Sequence, residues 1–242
     1  MDEYFSYAYG GPEFVQFGTA HLVTLALIVL IIALLCSIPF SDRHRKKLRT
    51  LIASALLVNE LAWHIWHFSN GLWTVQTMLP LHLCNLLVLI SAVTLLTRNQ
   101  TGYEFLYFLG ITGAAQVLIT PGLGAWGFPH FLFFQTFISH GGIVLTAIYL
   151  TLGEGMGPSS GRALIRILFV GHIYAGIIFL LNPLLGSNYL FFAYKPPAAT
   201  LLDFLGSWPW YVLSMIGIGA AQAVLLYLPF AWINRRKKLM SD

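Results

Sequence analysis

The segment Leu79-Pro80-Leu81-His82-Leu83-Cys84-Asn85 sets a histidine, a cysteine and an amide at the start of an apolar stretch. A cysteine and a histidine supply the parts of a nucleophile and its base. Polar and ionisable groups inside a bilayer are costly and mark functional interiors. Other such groups recur along the chain. Asn59, Glu60, His64 and His67 sit in one apolar stretch, and Gln116, Gln135, His140, His172, Asn182 and Gln222 lie in later ones. Glu60, His64 and His67 are spaced i, i+4, i+7 and share one face of a helix.

These residues need membrane helices to position them. The 242-residue chain is 57% hydrophobic and 9% charged, whereas soluble domains are about 25% charged. It is therefore read as one all-α, multi-pass transmembrane domain over residues 1–242. Seven spans are predicted at 19–39, 50–69, 79–97, 103–120, 129–152, 163–183 and 209–232. The acidic start Met1-Asp2-Glu3-Tyr4 does not resemble a signal peptide.

With seven spans, 12 of the 13 Lys and Arg residues fall on one side: Arg43, Arg45, Lys46, Lys47, Arg49, Arg98, Arg162, Arg166 and the tail Arg235, Arg236, Lys237, Lys238. Only Lys195 falls opposite. The positive-inside rule puts the rich side in the cytoplasm, the N-terminus outside and the C-terminus inside. The basic balance is thus a matter of membrane topology and lipid surfaces, and no nucleic-acid partner is expected. Cys36 and Cys84 fall in opposite leaflets, too far apart for a disulfide. Cys36 reads as a small apolar filler.

Most intramembrane polar residues fall in the outer half, which predicts a polar cavity opening outward. Within it, His82 and Cys84 are two residues apart, about 200° around a helix, so they do not face each other. His82 and Asn85 would share a face. A base for Cys84 must come from another helix. His64 and His67 lie at roughly its depth, whereas His140 is nominally at about 16 Å against about 8 Å for Cys84, unless Phe128-Pro129-His130 raises the start of its span.

Each feature also has a purely structural reading. A buried Cys packs, an intramembrane His bonds between helices, and Glu60 pairs with His64. The pairs Gly110/Ala114, Gly171/Ala175 and Gly217/Ala221 read as helix-packing positions. Number and placement favour function, because packing alone does not require five histidines, a carboxylate and a cysteine in three spans. The aromatic loop Asn188–Tyr211 reads either as an interfacial belt or as a lid, with Asp203 or Lys195 reaching a lipid headgroup.

The 79–85 segment, Phe133-Phe134-Gln135-Thr136-Phe137-Ile138-Ser139-His140-Gly141, Asn188-Tyr189, Lys195-Pro196, Leu201-Leu202-Asp203 and Trp208-Pro209-Trp210-Tyr211 together resemble the bacterial YwaF-type integral membrane proteins. Those are similar to the eukaryotic transmembrane protein 164 family. The resemblance covers essentially all seven spans. It implies a multi-pass acyltransferase, related to androgen-induced-type membrane hydrolases, that moves an acyl chain between phospholipids through an acyl-enzyme. By motif the catalytic Cys falls on Cys84 and the His on His140.

The expected chemistry is deprotonation of Cys84 by His140, oriented by Gln135 or a second-span histidine. Thioester formation follows, and transfer to a lysophospholipid hydroxyl or water. Asn85 or Gln116 would stabilise the oxyanion. No cofactor is required, and phospholipids and lysophospholipids are the partners. A second reading is a metal-dependent hydrolase with Glu60, His64, His67, His82 and His140 as ligands. A third is a proton-coupled transporter relaying through Glu60 and His172, or a non-catalytic lipid-binding protein.

Overall fold

A computed structural model describes residues 3–197 and 200–239, with side chains through Arg236. Met1, Asp2 and the side chains of Lys237 and Lys238 lie outside that description. The described residues form helices and no strand. The seven helical rods are α1 (Thr19–Ser37), α2 (Asp42–Ser69), α3 (Leu83–Thr97), α4 (Gln100–Ile119), α5 (Phe131–Gly153), α6 (Gly161–Leu185) and α7 (Trp210–Leu239). Each corresponds to one predicted span.

Five of them, α1 and α4 to α7, are long and apolar enough to cross a membrane by length and composition. The other two depart for physical reasons. α2 begins at Asp42, eight residues before the predicted boundary, because Asp42-Arg43-His44-Arg45-Lys46-Lys47 continues the helix as a polar turn. Its apolar part then carries Asn59, Glu60, His64 and His67. α3 has only 15 residues, because Leu79–His82 is not helical and His82 is its N-cap, with extended φ −72° and ψ 142°.

α2, α3 and α5 contact one another, and α4 lies against α3 and α5. α6 and α7 pack on each other and on α4. One π-helical segment, Leu106–Gly110, interrupts α4, and another, Tyr149–Gly153, ends α5. Of the predicted packing glycines, Gly110 abuts Ile143 and Gly171 abuts Leu109, but a Cβ on Gly217 would meet nothing within 4 Å. Gly217 is therefore not a packing position within this chain.

The two ends of the bundle are built differently. At one end, loops cover the helices. The N-terminal segment is held by Trp66 Nε1–H on Phe5 O (2.8 Å), Trp126 Nε1–H on Tyr7 O (3.2 Å) and Phe14 N–H on Gly124 O (2.9 Å). Buried His21 fastens α1 to α4: its Nδ1 accepts from Phe17 N–H at 3.0 Å, which leaves Nε2–H to donate to Leu118 O at 2.8 Å.

At the other end, buried carboxylates bind arginines. Glu154 receives two bonds from Arg49, at 2.7 and 2.8 Å, and has Arg98 Nε at 3.1 Å. Glu104 takes Arg166, Gln100 Nε2 at 3.0 Å and the Ser159 amide at 2.9 Å. Three arginines read from sequence as topology markers thus also tie helices together.

Candidate functional site

Cys84 is the second residue of α3, and its first turn carries no side-chain cap. The first four N–H groups of a helix have no carbonyl partner within it. Leu86 N–H reaches His82 O at 3.2 Å. Among the described residues, the amides of Leu83, Cys84 and Asn85 make no hydrogen bond. The sulfur therefore lies in a turn whose free donors and dipole favour negative charge. Cys84 is half-buried and free. A Cβ built on Gly113 of α4 would lie 4.0 Å from its Sγ and 3.5 Å from Leu83 Cδ2.

Helix register sets the depth of the candidate bases. Asn85 Nδ2 donates to Glu60 Oε1 at 2.9 Å, so in antiparallel α3 Cys84 faces the level of residue 61 of α2. Asn59 Nδ2 donates to Ser139 Oγ at 2.8 Å, so His140 lies near the level of residue 58. The three-residue difference is about 4.5 Å. α4 serves as a second ruler. Ile143 Cγ2 would lie 3.0 Å from a Cβ on Gly110. One turn away on both helices, His140 reaches the level of Gly113, which Cys84 also abuts. The 8 Å mismatch expected from span boundaries falls to one helical turn or less, because α3 begins late, below the 70–82 loop.

Neighbours decide which imidazole nitrogen is free. His140 Nδ1 is 2.8 Å from Thr136 O. A carbonyl only accepts, so Nδ1 carries the proton and Nε2 keeps a lone pair. His67 does the same with Trp63 O at 2.9 Å, and its ring lies between Trp63 and Trp66. His64 is the reverse case. Trp73 Nε1–H donates to its Nδ1 at 3.0 Å, so a neutral His64 holds its proton on Nε2, 3.7 Å from Glu60 Oε1. That proton faces the carboxylate, and the lone pair is taken. Trp73, in the loop after α2, carried no sequence signal for this role.

Several expected roles are reassigned. His82 does not share a helical face with Asn85, because it precedes the helix. Its Nδ1 accepts from Leu190 N–H at 3.4 Å, and its ring packs on Tyr189 and Phe191. Gln135 does not orient His140: its Nε2 donates to Ser139 Oγ at 3.2 Å, in the network with Asn59. Gln116 Nε2 donates to Gln222 Oε1 at 2.9 Å, and Asn85 donates to Glu60, so the amides proposed for the oxyanion are engaged elsewhere.

The amides of Asn59, Asn85 and Gln116 thus join helices in pairs, whereas Asn182 Nδ2 donates to Tyr189 O in the loop after α6. His172 is exposed on α6, with Nδ1 on Leu168 O. Asp203 caps a short 3-10 helix, Leu201–Leu205, by accepting from Thr200 N–H at 2.8 Å. Lys195 Nζ sits 5.4 Å from the Tyr211 ring centroid.

The metal reading fails on geometry. Among the described residues, no three of His, Cys, Asp or Glu come together as a ligand set. His82 is turned into the loop, His67 is wedged between indoles, and His64 and Glu60 face each other.

The profile of the TMEM164 family matches residues 16–227. The chain belongs to the TMEM164 family. The match covers all seven helices, from the segment before α1 to the second half of α7, and with them both Cys84 and His140. No curated protein and no solved structure matches the chain. Membership in this family and the apolar helices together identify a multi-pass helical membrane protein.

Proposed function

We propose that this TMEM164-family chain is a membrane-embedded lipid acyltransferase or transacylase, with Cys84 as nucleophile and His140 as base. All seven rods would cross the cell membrane, with the arginine-rich end cytoplasmic and the N-terminus outside. The observation that carries the reading is the position of the Cys84 thiol. It lies in the uncapped first turn of α3, against Gly113, at the depth where His140 offers a free Nε2.

His140 Nε2 takes the thiol proton, and the thiolate attacks the carbonyl carbon of a phospholipid ester. The free amides of the α3 first turn are the donors for the oxyanion, in place of the engaged Asn85 and Gln116. Collapse breaks the carbon–oxygen bond, and the lysophospholipid alkoxide leaves with the proton from His140. An acceptor lysolipid hydroxyl, or water, then gives its proton to His140 and attacks the thioester, releasing the acyl group and restoring the thiol. Activation of the thiol is required because a free cysteine has a pKa of about 8.5. Family membership is compatible with this chemistry.

The test is an intact-mass measurement of purified protein incubated with a defined phospholipid. The expected result is one acyl mass adduct, removed by hydroxylamine, absent in Cys84→Ala and slowed in His140→Gln. Full acyl transfer by Cys84→Ala would refute the assignment.

A further inference from the structure

Leu109, Gly113 and Gln116 follow one another at helical spacing along one side of α4. Each meets a different helix. A Cβ on Gly171 of α6 would lie 3.4 Å from Leu109 Cδ1, and one on Gly113 would lie 4.0 Å from Cys84 Sγ of α3. Gln116 Nε2 donates to Gln222 Oε1 of α7 at 2.9 Å. The thiol and the amide pair are thus one helical turn apart on the same side of α4.

The amide pair is half open. Two facing carboxamides can exchange two hydrogen bonds, because each carries a carbonyl oxygen and an NH2 group. Here only one forms. Among the described residues, Gln116 Oε1 and Gln222 Nε2 make no hydrogen bond, yet neither atom is enclosed by protein. Both residues are half-buried. Exchanging nitrogen and oxygen in both side chains leaves the same inventory, one carbonyl oxygen and one amide nitrogen unmet. Each such group is costly in an apolar setting until something polar meets it.

Space adjoins the pair. Gly219 lies three residues before Gln222 on the same face of α7 and is half-buried. A Cβ there would meet nothing within 4 Å. On the thiol side, a Cβ on Gly113 would meet only Leu83 Cδ2 and the sulfur.

We propose that the open half of the Gln116–Gln222 pair is the acceptor subsite of the acyl-transfer site and binds one lipid hydroxyl. This deepens the Cys84 reading and rests on it. A hydroxyl is both donor and acceptor. It accepts from Gln222 Nε2–H and donates to Gln116 Oε1, which completes the pair. An ester carbonyl only accepts and would leave Gln116 Oε1 unmet. The subsite therefore selects a lysophospholipid, with its free hydroxyl, over a diacyl lipid. In the transfer step the hydroxyl oxygen bonds to the thioester carbon and its proton passes to His140 Nε2. The carbon–sulfur bond then breaks, and the sulfur takes that proton.

The test is native mass spectrometry of full-length Cys84→Ala in detergent, titrated with 1-acyl-lysophosphatidylcholine or with its 2-deoxy analogue. The hydroxylated ligand is expected to bind about 5- to 100-fold more tightly, from two hydrogen bonds. In Cys84→Ala/Gln222→Met, which keeps the side-chain length and removes the amide, the ratio should fall to about twofold or less. Gln116→Met, on the other helix, is the second variant and should do the same. A pair that only ties α4 to α7 would weaken both ligands alike and preserve their ratio. Equal binding of the two ligands to Cys84→Ala, or a ratio preserved in the methionine variants, would overturn the proposal. The ratio is read without acyl transfer, so its failure is distinct from absence of the Cys84 adduct.

Discussion

At the residue scale, the histidines of this chain differ by what bonds their Nδ1. The carbonyls of Thr136 and Trp63 hold Nδ1–H in His140 and His67 and leave Nε2 as a base, whereas the Trp73 indole occupies the lone pair of His64. This separates two candidate bases by experiment. Trp73→Phe frees the His64 Nδ1 but leaves His140 untouched. Acyl-transfer kcat/KM should stay within about threefold of the parent and still depend on His140, and activity in Trp73→Phe that survives His140→Gln would move the base to His64. The glycines facing the site give a second contrast. Gly113→Ala adds a methyl at ordinary contact distances of 3.5 and 4.0 Å, so thermal stability should be unchanged. Gly142→Ala would bring Cβ within 2.5 Å of Leu56 Cδ2, between α2 and α5, and should lose about 1–3 kcal/mol in denaturant unfolding.

At the element scale, α3 controls the site because it starts late. Leu79–His82 is a turn and not helix, so the first turn of α3, with its free amides, opens inside the protein where Cys84 meets Gly113. At the opposite end, Glu154 fastens α5 to α2 and to the end of α3. Removing one partner of a buried pair leaves the other charges uncompensated. Glu154→Gln is expected to cost about 3 kcal/mol, at the low end for such pairs because Arg98 is half exposed. A matching fall in thermal midpoint in detergent, without loss of helical circular dichroism at 20 °C or so, would be the signature.

At the scale of the whole molecule, α6 and the loop after it are fastened to the 75–82 segment by tyrosine hydrogen bonds, besides the direct packing of α6 and α7 on α4. Tyr189 is fully buried, and its hydroxyl donates to Val75 O at 2.7 Å while accepting from Leu79 N–H at 2.9 Å. Tyr174 Oη–H adds a bond to Leu81 O at 2.8 Å, and His82 receives Leu190 N–H. This clamp holds the segment that leads into Cys84. Tyr189→Phe leaves a buried carbonyl and amide without their partner, so a loss of about 1–3 kcal/mol is expected. Hydrogen exchange should rise in residues 75–82 and 186–197 and stay unchanged in the α2–α5 interface. Uniform exchange across the chain would contradict a local clamp.

Much of this was legible without coordinates. Hydrophobic runs and the scarcity of charge determine the class and the seven helical segments, because a buried helix must be apolar around its length whatever it packs against. The residue types at Cys84 and His140 likewise mark candidate chemistry by themselves. What the sequence could not determine was partnership. Whether Asn85 faces Glu60 or an oxyanion, whether Gln135 serves His140 or Ser139, and whether five ligand-type residues converge are set by rotation and register between helices. Periodicity within one helix is silent about both. The depth of Cys84 shows the same division: composition places a span at 79–97, but the bonds of Tyr189, Tyr174 and the Leu190 amide hold 79–82 out of the helix. The sequence by itself determined which residues are capable of the reaction. Only the tertiary structure, through interhelical hydrogen bonds and side-chain packing, decided which of them stand at the same level.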